Sequence, residues 1–190
     1  SLRRFNSALQ AHYGLSPTQM RRSQPAPHAH EAAHAGTAVR LSWRPPYDAT
    51  AMLAFLAARQ LPGVEWVQPE ALSLHRTVRL VVGGQVHTGW LIAQLQPAAH
   101  RLELRASDSL HAVLPSLLWR VRALFDLDAD PQAINAVLHP HFPTGDGLRV
   151  PGGLDGFELA VRAVLGQQIT VAAARTLAQR LVERFGEPID

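Results

Sequence analysis

The chain predicts an α+β protein in which an antiparallel sheet with helices on one face is followed by an all-helical segment. Three observations predict it. Residues 38–107 alternate apolar and polar side chains with period two, interrupted by one helical pattern. Gly83-Gly84 between two alternating runs marks a tight hairpin, hence antiparallel pairing. From residue 109 onward the apolar spacing changes to the three-and-four rhythm of helices.

The elements follow in order. Over residues 1–24, Leu2, Phe5, Leu9 and Tyr13 form one helical stripe that Gly14 ends. Ser16 then caps a second short helix, with Pro17 at its first position and Gln19 completing the box. Residues 25–37 have no apolar periodicity and almost no bulky side chains, which is linker composition. His28, His30 and His34 lie there without a carboxylate shell, so they read as solvated and no metal is assigned. Limited proteolysis is expected to cut first between Pro25 and Thr37; a first cut within 41–107 would contradict this boundary.

Val39, Leu41 and Trp43 start a strand that ends at Pro45-Pro46. Asp48 can cap a helix over 49–60, whose apolar face comprises Met52, Leu53, Phe55, Leu56 and Ala57. Strand runs follow near 64–68, 75–82, 86–95 and 101–106, with Pro97-Ala98-Ala99-His100 as a turn. Over 109–137, Leu114, Leu117, Leu118, Val121, Leu124 and Phe125 point inward, and Pro115 belongs in a first turn. The acidic stretch 126–130 lacks the glycine and terminal glutamate of a calcium loop. Asp130 before Pro131 reads as a helix cap instead. Residues 139–154 are Pro/Gly-rich and connect to the last two helices.

Asp155 with Glu158 three residues on is a capping box, in which each side chain satisfies a backbone N–H of the other's turn. Phe157, Val161, Val164 and Leu165 then form one apolar face. Gly166-Gln167-Gln168 breaks it, and Thr170 caps the next helix. Ala174, Leu177, Ala178, Leu181, Val182 and Phe185 line that helix, and Gly186 suits a left-handed cap.

Composition excludes several classes. With no cysteine there is no disulfide, thiolate zinc site, cysteine nucleophile or cysteine methyl acceptor. No apolar run approaches the roughly 18 residues of a membrane span and no signal peptide opens the chain, so a cytoplasmic location is expected and no membrane partner. All 18 basic residues are arginine, and the net charge is +3. Residues 1–24 hold Arg3, Arg4, Arg21 and Arg22 with no acid, the only strong basic footprint and the candidates for phosphate contact. The remaining 14 arginines face 15 acidic residues. The chain has no initiator Met, and its last residues follow a helix cap, so it reads as an excerpt of a longer protein.

Two resemblances rest on these motifs. The run RFNSALQAHYGLSPTQMRR resembles the C-terminal end of an AraC-type DNA-binding domain, beside the plainer reading of a solvated basic helix pair. From Leu41 onward the chain resembles the AlkA-type 3-methyladenine DNA glycosylases. The landmarks are LSWRPPYD at 41–48, MLAFLAAR at 52–59, His75-Arg76-Thr77-Val78, LFDLDADP at 124–131, GLRVPGGLDGFE at 147–158 and the LGQQ corner at 165–168.

The resemblance implies a sheet domain of the TATA-binding-protein type over 38–150. It implies the start of a helix-hairpin-helix glycosylase domain over 151–190, preceded by an Ada-type regulator segment. The activity implied is base excision repair by a monomer that needs no cofactor. Alkylated purines are flipped out of double-stranded DNA into an aromatic pocket, because the glycosidic bond is unreachable within the stack. The family's catalytic aspartate is expected beyond residue 190, and no catalytic residue is assigned within the chain. Phe55 matches the family's aromatic at the pocket edge, although as one apolar side chain on a helix face it reads equally as core. Gln167 and Gln168 match the corner that fills the gap left by the flipped base; their plain alternative is a solvated loop. A second function class stays open: an Ada/AraC-type transcription regulator whose folded remainder binds without chemistry.

Overall fold

The structure, a computed structural model, describes residues 36–189. The helix pair over 1–24, Arg3, Arg4, Arg21, Arg22 and the three linker histidines lie outside the described residues. The elements are β1 Thr37–Ser42, α1 Ala49–Ala57, β2 Glu65–Gln68, β3 Ser73–Val82, β4 Gln85–Gln96 and β5 Arg101–Ala106, then α2 Leu114–Leu124, α3 Pro131–Leu138, α4 Gly156–Leu165 and α5 Val171–Phe185. Short 3-10 turns occupy Pro97–Ala99 and Asp108–Val113. The strands form one antiparallel sheet in the order β1-β5-β4-β3-β2. The fold is α+β, as the alternation predicted.

Register follows from the period-two pattern, since a one-residue slip would turn every apolar side chain to the wrong face. Val39, Leu104, Ala93, Leu74 and Val67 line up across all five strands and are all buried. Met52 and Leu53 of α1, and Leu117, Leu118 and Val121 of α2, join that face in one core with Phe125. The β3–β4 hairpin closes through Gly83 (φ 58°) and Gly84 (φ 80°), a left-handed pair that side chains disfavour.

Several boundaries differ from the sequence expectation. β1 takes in Thr37 and stops at Ser42, although the Trp43 N–H still donates to the His100 carbonyl at 3.0 Å. α1 ends at Ala57 rather than 60, because Arg59 and Gln60 donate in tighter i−3 bonds. The Gln60 side chain then accepts from the Val67 N–H at 2.8 Å. The 109–137 stretch breaks into a 3-10 turn, α2 and α3, with Asp126 left-handed (φ 50°) at the break. Pro115 is in the first turn of α2, and Asp130 caps α3 by accepting from Gln132 and Ala133.

Gly186 is extended (φ −69°, ψ 140°), not left-handed. Its N–H still reaches Val182 O at 2.7 Å, and a Cβ there would press on that carbonyl, so glycine is needed for close approach rather than for positive φ. The faces of α4 and α5 also depart from expectation. Phe157 is 80% exposed and Phe185 68% exposed, and Ala178 is the one buried residue of the two helices. Helical spacing shows that a face is apolar, but not whether anything within the described residues covers it.

Candidate functional site

α4 approaches the core side of the sheet at its β2–β3 edge through charges rather than through its apolar stripe. Glu65 and Arg76 are paired across β2 and β3, with side chains only 8% and 7% exposed. Arg76 Nη1 donates to Glu65 Oε2 at 2.6 Å, and its Nη2 donates to Glu158 Oε2 on α4. Arg162, one turn beyond Glu158, closes the ring by donating to Glu65 Oε1 and Glu158 Oε1, both at 2.7 Å. It also donates to the Arg59 carbonyl at 2.7 Å. Two guanidinium groups and two carboxylates thus neutralise one another where water is scarce. Burial lowers the Arg162 pKa, but the Glu65 and Glu158 charges and their hydrogen bonds outweigh it, and the net shift is upward.

The capping box at this helix forms only by half. Asp155 Oδ1 accepts from the Glu158 N–H at 2.8 Å. The Glu158 carboxylate does not reach back, because two charge-assisted bonds to guanidinium groups outweigh one to a backbone N–H.

Beside this ring lies an open cavity of about 380 Å³, bordered by the end of α1, the loop 151–155 and the α4–α5 corner. Its walls are largely apolar, among them Leu61, Leu124, Leu159, Ala163, Ile169 and Val171. Glu65, Arg76, Glu158 and Arg162 supply charge on one side. The loop is held by Arg149, whose Nη2 donates to the carbonyls of Arg44 (2.6 Å) and Pro46 (3.0 Å). Next to it the Tyr47 hydroxyl donates to Phe125 O at 2.8 Å. Burial raises the Tyr47 pKa, the Arg149 charge opposes the rise and Asp126 adds to it, leaving the phenol protonated. Arg175 Nε donates to Gln60 O at 3.2 Å and ties α5 to the turn after α1.

Phe55 opens into this cavity, 39% exposed, because α1 commits Met52 and Leu53 to the core and leaves the Phe55 side of the helix outward. One turn on, the Arg59 guanidinium carbon lies 3.7 Å from the centre of the Phe55 ring. Arg59 Nη1 also donates to the Phe55 carbonyl at 3.2 Å. A planar cation against a ring face is the arrangement that the aromatic quadrupole favours, by about 0.5–1 kcal/mol at an exposed position.

Gln167 and Gln168 are exposed at the corner, outside the cavity lining, whereas Gly166 and Ile169 beside them contribute to it. Gln168 is left-handed (φ 59°), a backbone cost accepted in turning α4 into α5. Thr170 Oγ1 caps α5 by accepting from Ala173 N at 3.2 Å. The structure therefore places Phe55 within the cavity and the two glutamines on its rim. Reading the sequence did not find the ion-pair ring or Arg59. The i, i+4 spacing of Glu158 and Arg162 was its one local signal. Among the described residues no cluster of three or more His, Cys, Asp or Glu could hold a metal ion, and no helix is long and apolar enough to cross a membrane.

A family model described as the AlkA N-terminal domain matches residues 38–155. The chain is similar to DNA-3-methyladenine glycosylase 2 of Escherichia coli (strain K12), 39% identical over 150 residues, covering 79% of this chain and 51% of that protein. It is also similar to a "Probable bifunctional transcriptional activator/DNA repair enzyme AlkA" in two strains of Mycobacterium tuberculosis. There the identity is 35% over 197 residues, covering 100% of this chain and 38% of each relative. The chain thus spans about half the length of the first relative and less of the others. A solved structure described as "Structure of MBOgg1 in complex with low affinity DNA ligand" aligns with a TM-score of 0.52. At 18% identity, over 83% of this chain and 49% of that one, the likeness is of fold alone.

Proposed function

The chain belongs to the AlkA N-terminal domain family, and on that premise we propose that it is part of a cytoplasmic, monomeric DNA repair glycosylase. The intact enzyme flips alkylated purines such as 3-methyladenine out of double-stranded DNA and excises them. The observation that carries this reading is the Phe55 ring at the cavity wall with a guanidinium stacked 3.7 Å from its centre. A flipped, alkylated purine is also flat and cationic, so it suits the ring face on the same physical grounds when it takes the place of the Arg59 guanidinium. Gln167 and Gln168 serve as the plug for the vacated stack, and Phe55 as the pocket edge. Arg3, Arg4, Arg21 and Arg22 serve as phosphate contacts in the sequence preceding the sheet domain, which extends from about residue 38 to 150.

The carboxylates that line the cavity are committed elsewhere. Glu65 and Glu158 face two arginines, and Asp155 caps α4. The 190-residue chain is therefore expected to release no free 3-methyladenine from methylated duplex above the uncatalysed rate. Release that Asp155→Asn abolished would overturn that assignment. The full gene product tests the function itself, because it should release 3-methyladenine. Tight binding of damaged duplex without release would favour a second reading, a transcription regulator in which this part binds without chemistry. That alternative is supported by the name of the Mycobacterium tuberculosis relatives, which are matched over the whole chain.

A further inference from the structure

The sheet has two faces with opposite chemistry. Leu74, Val78, Leu91, Leu95, Leu102 and Leu104 point to the core. By the pleat, the alternate residues point the other way, away from the cavity and the ion-pair ring. That outer face bears Arg40, Arg79, Arg101 and Arg105 against a single acid, Glu103, a net charge of +3. In the rest of residues 36–189, ten arginines face twelve acidic residues. The net positive excess of the described residues therefore sits on one side of one sheet, the remainder being slightly acidic.

The charge is also ordered across the strands. Arg40, Arg101 and Arg105 occupy the β1–β5 side. At the opposite edge, Trp66 on β2 is 57% exposed and stands against His75 on β3, with ring centres 5.2 Å apart. One cross-strand row joins the two ends: Trp66, His75, Ile92, Arg105 and Ala38. At the usual strand spacing of about 4.8 Å, the edges lie roughly 19 Å apart. A flat platform with aromatic rings at one side and guanidinium groups at the other matches an unpaired nucleic-acid strand. Its bases need a π-face and its phosphates need cations, and no groove has to be read. A carboxylate-rich peptide would use the arginines but leave the aromatic edge without a role.

We propose that the outer face of the sheet binds single-stranded nucleic acid, with a base stacked on the exposed Trp66 at the β2 edge and phosphates on Arg40 and Arg101. The site is separate from the cavity and does not depend on the function assigned to it. The test is fluorescence anisotropy of a labelled oligothymidylate of roughly 12 nucleotides, within the site sizes of such platforms, titrated with the 190-residue chain at several salt concentrations. The expected result is salt-dependent binding that weakens about tenfold or more in the Arg40→Glu/Arg101→Glu variant. Trp66→Ala should weaken it roughly tenfold. Circular dichroism should show both variants folded, since neither removes a core side chain.

The proposal is overturned if both variants bind as the parent does. It is also overturned if substituting Arg3, Arg4, Arg21 and Arg22 with Ala abolishes binding that the sheet variants keep. Duplex of the same length bound equally well through the same side chains would overturn the single-strand assignment.

Discussion

Replacing Glu65 by alanine is expected to remove about 3–5 kcal/mol of folding stability, the usual cost of stripping one partner from a buried ion pair. Glu65 faces both arginines of the ring, so its loss leaves Arg76 and Arg162 sharing the single carboxylate of Glu158. The Arg76 side chain is 7% exposed and cannot rehydrate without opening the sheet edge. For a chain of this size the loss corresponds to a fall in melting temperature of roughly ten degrees. Because the ring joins β2 and β3 to α4, the α4–α5 unit should detach at lower urea than the sheet unfolds, giving non-coincident transitions by circular dichroism and Trp fluorescence. A loss below about 1 kcal/mol would mean that water reaches the ring, with the value of an exposed pair. Replacing all four side chains by apolar ones of similar volume should cost far less than removing Glu65 alone, since no charge is then left buried unpaired.

Gln168→Ala is expected to weaken binding to duplex with an abasic analogue by about tenfold and to leave binding to undamaged duplex unchanged. Opening the stack costs a few kcal/mol, and an inserted amide offsets part of that by bonding the orphaned partner base. Gln168 makes no core contact, being exposed at the corner, so its truncation should not disturb the fold. Its backbone is left-handed, with φ at 59°, which glycine adopts without strain. Gln168→Gly should therefore keep or slightly raise stability while losing the same binding, separating the side chain from the turn. Gln168→Leu should recover much of the affinity if filling by packing suffices. Affinities are compared at one salt concentration, because phosphate contacts contribute to both duplexes. Equal losses on both duplexes, or none on either, would make the corner a solvated loop.

The strands, the hairpin and most helix starts were legible in the sequence because the signals that set them are local. Period-two alternation determines which side of β3 and β4 is apolar, whatever lies above it. Gly83-Gly84 determines the turn, since few other residue pairs tolerate two positive φ angles. Asp130 and Thr170 cap their helices with N–H groups two or three residues away. The Phe55 helix was likewise legible, but whether its ring is core or cavity wall was not: that depends on α4 and the loop 151–155, about a hundred residues further along.

Only the tertiary structure decided what the charged residues of the ring do. Glu158 looked like the second half of a capping box, yet it pairs with Arg76, 82 positions earlier. Glu65 and Arg76 become neighbours through strand register, and Arg162 joins them only because α4 lies against that edge. The apolar faces of α4 and α5 divide in the same way. Their spacing is local and was read correctly, but burial needs a partner surface. Among the described residues Phe157 and Phe185 stay mostly exposed, while α4 is held to the sheet edge through Glu158 and Arg162. Backbone signals act over a few residues and are written in order along the chain. Coulomb pairing and burial act through space, and the order of the residues does not contain those distances.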